Sequence, residues 1–217
     1  MRTRTLLLAT LAGAPGAVAG LLTTVEATGT VASNAVFDPP LGLVAPGDAA
    51  RLTMTLDASD FVEGPGGTTR AYRVQSLSLM LGAQTLAMQS PMPLGVETYF
   101  VVRNGAPGAP GADGFFVGTS TTTANGAPLN IAGSLGQFRA VLDARYDGSV
   151  LDSADILGAV GAYAGEGLTQ VQFFVADGPT QPLILNFNDL RITVVPGPGA
   201  ALAMAGAMAL AGVRRRR

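Results

Sequence analysis

Four aspartates are the residues of this chain with the clearest capacity for chemistry. Asp143, Asp147, Asp152 and Asp155 lie within 13 residues, and Gly148 supplies a turn between them. Carboxylate-rich loops of this kind bind Ca²⁺. The spacing differs from that of an EF-hand, however, and solvated turns or a helix cap account for the same four residues. We therefore expect no obligatory metal or cofactor, and we keep a calcium site as an alternative.

A pair of carboxylates is all that glycoside hydrolysis requires. Glu97 is the acid best placed for a sugar site, because Tyr99 and Phe100 follow it at the start of a predicted strand. Nothing in the sequence identifies a second acid opposite Glu97, and Trp, a common platform in sugar clefts, is absent. A glycan-active enzyme is accordingly the third of three hypotheses.

The missing residue types exclude whole classes of reaction. The 217-residue chain has no Cys, His or Lys, so that all 13 of its basic residues are Arg. It therefore has no Cys or His nucleophile, no Ser-His-Asp triad, no Lys Schiff base and no Cys/His zinc site. The Arg residues away from the chain ends alternate with acids and form no basic stripe, so we expect no nucleic-acid partner.

Adjacent aromatic residues suggest a second hypothesis, a non-catalytic carbohydrate-binding module. Neighbours in a strand point to opposite faces, so one ring of each pair would be available to stack on a sugar. The alternative is that both faces are covered. The pairs are Tyr99-Phe100, Phe115-Phe116 and Phe173-Phe174.

The elements that must position these residues are strands. Apolar residues alternate with polar ones at Leu52–Leu56, Phe138–Tyr146 and Leu190–Val194, which is the period of a half-buried strand. Between Val74 and Leu77 the apolar parity changes, which predicts a β-bulge or a bend. Eight to ten short strands separated by Gly and Pro turns predict one antiparallel β-sandwich or jelly-roll domain over residues 20–193.

One segment departs from the two-residue period. From Asp152 to Gly165, the apolar residues Ile156, Leu157, Val160 and Tyr163 have nearly helical spacing. Asp152 or Ser153 provides an N-cap, and Gly165 provides a stop. We predict one short helix here, with a loop as the alternative because Gly158 and Gly161 weaken helix propensity.

The N-terminal segment has the three parts of a secretory signal peptide. Arg2 and Arg4 precede an apolar stretch of roughly 10 residues, and Ala17-Val18-Ala19 is an A-x-A cleavage site before Gly20. We expect residues 1–19 to form a signal helix that signal peptidase removes during secretion. The ordinary alternative is an N-terminal core strand or a short helix.

The C-terminal segment, residues 194–217, contains an apolar run from Ala200 to Val213 and a terminal cluster, Arg214, Arg215, Arg216 and Arg217. Fourteen helical residues rise about 21 Å, which is short for a bilayer core of about 30 Å. The arginines supply the stop-transfer flank that stays cytoplasmic. We predict a short transmembrane helix that acts as a transient membrane anchor.

A motif stands directly before that apolar run: Val195, Pro196, Gly197, Pro198 and Gly199. With the helix and the arginine cluster, it resembles the PEP-CTERM sorting signal of exported bacterial proteins, although Gly197 stands where that family usually has Glu. The resemblance covers about the last 22 residues. It implies that a membrane-embedded exosortase, a transpeptidase-like enzyme, cleaves at the motif and releases or transfers the protein. It also implies a setting of exopolysaccharide and biofilm.

Together these observations predict an exported protein of the cell surface or extracellular matrix. The first hypothesis for its β domain is a structural or adhesive role without catalysis, and exopolysaccharide is a possible partner. Six of the 13 Arg lie in the two terminal segments, whereas all 15 acidic residues lie between them. The domain itself therefore carries a net charge of about −8.

Overall fold

The computed structural model describes residues 21–105, 112–131, 138–178 and 180–195. These residues form eleven antiparallel strands, and their helical content is limited to two 3₁₀ turns, Leu41–Leu43 and Pro65–Gly67. The strands are β1 (Leu22–Asn34), β2 (Ala49–Glu63), β3 (Thr69–Leu81), β4 (Gln84–Ala87), β5 (Tyr99–Arg103), β6 (Asp113–Gly118), β7 (Ala127–Pro128), β8 (Phe138–Tyr146), β9 (Gly161–Tyr163), β10 (Leu168–Asp177) and β11 (Thr180–Val195).

Eight of these strands close into a barrel. Their order is β1, β2, β3, β5, β6, β8, β10 and β11. The last strand, β11, also pairs with the first, β1, and this pairing closes the barrel. The remaining strands are additions, since β4 pairs with β3, β7 with β8 and β9 with β11. The closing pair runs from Leu22 opposite Val195 to Asn34 opposite Leu183.

The mainly β, antiparallel prediction is confirmed, but the predicted sandwich or jelly roll is replaced by this closed barrel. A sandwich leaves edge strands, whereas β1 is paired along its length with β11 on one side and with β2 on the other. The predicted bulge in β3 is confirmed, because Thr55 lies opposite Ser76 while Leu56 lies opposite Val74.

The predicted helix from Asp152 to Gly165 is wrong. The segment consists of turns that end in β9, whose residues Gly161–Tyr163 pair with Leu190–Ile192 of β11. Gly158 and Gly161 lower the helix propensity, and the Tyr72 hydroxyl on β3 binds the backbone amide of Ile156. One i to i+4 bond, from the amide of Ala159 to the carbonyl of Asp155, is the helical turn that forms.

The barrel interior is filled by side chains. The core contains stacked Phe100 and Phe115 rings, with centroids 5.9 Å apart, and Tyr146 and Tyr163 meet Phe115 at its edge. A smaller apolar cluster, Ala71, Val101 and Phe116, lies on the outer face of β3, β5 and β6. The interior of an eight-stranded barrel is just wide enough for side chains to fill it.

Both terminal helix predictions, residues 1–19 and 200–213, lie outside the described residues. Within the ranges that the structure describes, no helix has the length and apolar character needed to cross a membrane. β1 begins and β11 ends at the same end of the barrel, because Leu22 lies opposite Val195. We call this the terminal end, and the end that carries the β1–β2 loop the far end.

Candidate functional site

The terminal end of the barrel is closed by residues 147–160, which we call the plug segment. It joins β8 to β9, and its side chains Leu151, Ile156 and Ala159 belong to the hydrophobic core. The segment lacks regular structure, so its position depends on bonds from the surrounding strands. Two buried side chains, Tyr72 and Asp113, make most of these bonds.

Tyr72 fastens the middle of the plug segment. Its ring is fully buried on β3, and its hydroxyl accepts a hydrogen bond from the amide of Ile156 (2.9 Å) and donates one to the carbonyl of Ala154 (3.3 Å). Burial raises the pKa of the Tyr72 hydroxyl, so this group stays protonated and remains a donor.

Asp113 fastens the start of the plug segment. It is the first residue of β6 and is fully buried. One carboxylate oxygen accepts from the amides of Val150 (3.0 Å) and Leu151 (2.8 Å), and the other accepts from the amide of Gly105 (3.0 Å). A single carboxylate therefore satisfies three backbone donors, which is how a buried charge is tolerated.

We predict that Tyr72→Phe loosens the plug segment without unfolding the barrel. The substitution leaves the buried Ile156 amide without an acceptor, which costs about 1–3 kcal/mol. Hydrogen exchange at residues 154–157 should accelerate, while exchange in β1 and β2 stays slow.

Tyr99→Phe is the matched control, because the Tyr99 hydroxyl bonds to Glu97 on the exposed surface. Its effect on stability should stay within about 0.5 kcal/mol. Unchanged exchange at Ile156 in Tyr72→Phe would contradict the assigned role of Tyr72.

A cleft lies between the plug segment and the β2–β3 hairpin, and we call it the Arg70 cleft. Its volume is about 340 Å³, and it is lined by Gly67, Arg70, Asn104, Asp152, Ser153, Ala154 and Asp155. The Arg70 guanidinium contacts Glu63 Oε1 (3.2 Å) and Asp155 Oδ2 (3.3 Å), and it lies 4.7 Å from the centre of the Phe61 ring. Arg70 is therefore fixed on three sides.

Two polar side chains of the Arg70 cleft, Asn104 and Asp152, have no side-chain partner in the part of the chain that the structure describes. Among the described residues, neither the Asn104 amide group nor the Asp152 carboxylate has a side-chain hydrogen bond or an ion pair, and Asp152 is exposed. The cleft thus offers a free carboxylate and a free amide beside a fixed guanidinium. This arrangement can bind a small polar ligand by hydrogen bonds.

Glu97 lies on the outer wall of the barrel in a second charged cluster. Arg73 contacts Asp60 (3.0 Å) and Glu97 (3.0 Å), and the Tyr99 hydroxyl donates to the same Glu97 carboxylate. The bond from Tyr99 and the bond from Arg73 lower the pKa of Glu97. A glycosidase acid needs a raised pKa, so Glu97 is poorly suited to that role.

The four aspartates of the alternative calcium site do not converge. Asp143 pairs with Arg145 (2.7 Å), and Asp155 pairs with Arg70. Asp147 lines a separate cleft of about 660 Å³ beside β9, while Asp152 lines the Arg70 cleft. In the described ranges, no three acidic side chains come together as a metal site.

The aromatic pairs are largely covered. Phe100, Phe115 and Phe116 are almost completely buried, since Phe116 lies in the outer cluster under Arg103, 5.0 Å from its ring. The exposed rings among the described residues are Phe37 (92% exposed), in the β1–β2 loop, and Phe61 (38%). They lie at opposite ends of the barrel and do not form one binding face.

Several predicted sites lie outside the described residues. They are the signal cleavage residues Ala17 and Ala19, the motif residues Pro196 to Gly199 and the stop-transfer residues Arg214 to Arg217. Val195, the first residue of the motif, is described as the last residue of β11.

Sequence reasoning did not identify Tyr72, Asp113 or Arg70 as important. Their roles depend on contacts across long stretches of sequence, such as the 84 residues that separate Tyr72 from Ile156. Asp113 left one signal, an acid separated only by Gly114 from the apolar run Phe115–Val117.

Comparison with known proteins found no matching family model, no matching curated protein and no matching solved structure.

Proposed function

We propose that this protein is an exported component of the bacterial cell surface or extracellular matrix, with a non-catalytic structural or adhesive barrel. In this proposal, the signal peptide directs secretion, and the C-terminal tail is recognised by an exosortase-like membrane enzyme. The observation that carries the proposal is the tripartite tail, whose motif begins at Val195, the last residue of β11.

The position of the start of β1 and the end of β11 supports processing of a folded barrel. Leu22 and Val195 are paired neighbours at the terminal end. Removal of the segment before Leu22 and of the segment after Val195 would therefore take away no described barrel strand. Five peptide steps separate Val195 from Ala200, and they span at most about 18 Å. A membrane-embedded tail would thus hold the terminal end close to the bilayer.

A closed, filled barrel also suits a structural role. Among the described strands, closure leaves only the short β4, β7 and β9 with a single partner each, and short edges give little template for aggregation at the high local concentration of a matrix. The absence of Cys and His removes thiol oxidation and transition-metal capture as hazards outside the cell.

Mass spectrometry of the protein recovered from its native host tests this proposal. We predict a mature chain that starts at Gly20 and lacks Arg214 to Arg217. Replacement of all four arginines by Gln should leave a chain that starts at Gly20 but keeps its C-terminal tail, because the stop-transfer flank is lost.

Arg191→Gln is the matched control, since Arg191 is an exposed arginine on β11. Its processing should equal that of the wild-type chain. Recovery of the wild-type protein with residues 1–19 and the arginine cluster still attached would refute the proposal.

The Arg70 cleft favours a second candidate function, carbohydrate binding without catalysis. Its free amide and carboxylate are the groups that bind sugar hydroxyls, and the half-exposed Phe61 ring lies beside Arg70. In a matrix setting the partner would be exopolysaccharide.

A further inference from the structure

The Arg70 cleft is selective in charge as well as in shape. Arg70, the one cation among the described residues that line the cleft, already contacts two carboxylates, those of Glu63 and Asp155. Asp152 adds a third acid with no cation of its own among the described residues. The cleft and its rim therefore have a net negative charge, which repels acidic ligands such as polyuronates.

A bare cation does not fit either. In the part of the chain that the structure describes, no three acidic side chains form a possible metal site, and Arg70 stands between Glu63 and Asp155. With acidic ligands and bare cations set aside, the class of ligand that fits the cleft is neutral and rich in hydroxyl groups. Such a ligand can donate to Asp152, exchange hydrogen bonds with Asn104 and accept from spare N–H groups of Arg70.

We propose that the Arg70 cleft is a subsite for one or two sugar rings of a neutral polysaccharide. This inference rests on the carbohydrate-binding candidate given above. The volume of about 340 Å³ lies at the lower end of the range for small-ligand sites, which limits occupancy to a short stretch of polymer.

The fixed setting of the cleft supports this assignment. Arg70 is held by two ion pairs and the Phe61 ring, and the plug segment that carries Asp152 is held by Tyr72 and Asp113. A ligand therefore meets a guanidinium and a backbone that are already in place, so ordering these two parts of the cleft costs little conformational entropy on binding.

Affinity electrophoresis of the purified full chain tests the subsite. Native gels would contain dextran, hydroxyethyl cellulose or galactomannan as neutral polymers, or alginate as a polyuronate. We expect at least one neutral polymer to retard the wild-type chain and alginate to leave it unretarded. The double variant Asn104→Ala/Asp152→Asn should bind that polymer at least about tenfold more weakly.

Asn188→Ala/Asp147→Asn is the matched control, because it makes the same two changes at exposed positions outside the Arg70 cleft. It should bind like the wild type. Equal binding by the Asn104/Asp152 variant would overturn the subsite, as would equal retardation by alginate. If no neutral polymer retards the wild type, the subsite and the carbohydrate-binding function both fail, whereas the sorting proposal is judged separately by mass spectrometry.

Discussion

Asp113→Ala should destabilise the protein by about 3–4 kcal/mol, because three backbone amides then lose their acceptor at once. The amide of Leu151 lies in the core and cannot reach water without opening the plug segment. For a chain of this size, the loss corresponds to a fall of roughly 10 °C in the melting temperature. Thermal and urea unfolding would measure it.

Two comparison variants distinguish the effect of losing the hydrogen bonds of the Asp113 carboxylate from the effect of losing a side chain. Asp113→Asn keeps the shape but has one acceptor oxygen, so about half of the destabilisation should remain. Asp147→Ala removes an exposed carboxylate from the same plug segment and should change stability by less than about 0.5 kcal/mol. Similar melting temperatures for Asp113→Ala and Asp147→Ala would show that Asp113 does not hold the plug segment in place.

The strands of this fold could be predicted from sequence because alternation is a local signal. The Phe138–Tyr146 strand has the predicted bounds, and the parity change after Val74 correctly located the bulge in β3. Closure could not be predicted in this way. The pairing of Leu22 with Val195 joins residues near opposite ends of the chain, and the same alternation fits a strand in a sandwich or in a barrel.

The helix prediction failed for a related reason. Ile156, Val160 and Tyr163 recur at a nearly helical interval, but this spacing does not show that the three side chains share one buried face. In the barrel, Ile156 enters the core while the exposed Val160 leads into β9. Tertiary bonds from Tyr72 and Asp113 determine the path of this segment, and they outweigh a weak local preference that glycine had already reduced.

The candidate site was still harder to predict, since its residues come from three parts of the chain. Asp152 and Asp155 were noted as possible calcium ligands, yet Asp155 pairs with Arg70 and Asp152 lies beside Asn104. Sequence proximity of acids indicated the segment that lines the Arg70 cleft, but not the pairing of Asp155 with Arg70. Which cation neutralises a carboxylate is decided by strand register, and no local pattern encodes it.

Gly29→Ala should be about as damaging as Asp113→Ala, because it acts on the pair of strands that closes the barrel. A Cβ at position 29 would lie 1.8 Å from the carbonyl oxygen of Asn186 and 3.0 Å from its carbonyl carbon. Both are backbone atoms, so relief requires β1 and β11 to separate near the register shift at Thr28/Gly29. We expect a loss of about 3 kcal/mol and faster hydrogen exchange in β1 and β11.

Gly165→Ala provides the control for this test. No atom lies within 4 Å of its added Cβ, and the backbone there does not have a positive φ. Stability should stay the same or rise by a few tenths of a kcal/mol, since Ala restricts the unfolded chain. Wild-type exchange rates in Gly29→Ala would mean that β1 and β11 are not in close contact at Gly29. A loss of stability in Gly29→Ala, with Gly165→Ala unaffected, would show that stability depends on the pairing of β1 with β11. This closing pair is the feature that distinguishes the barrel from the predicted sandwich.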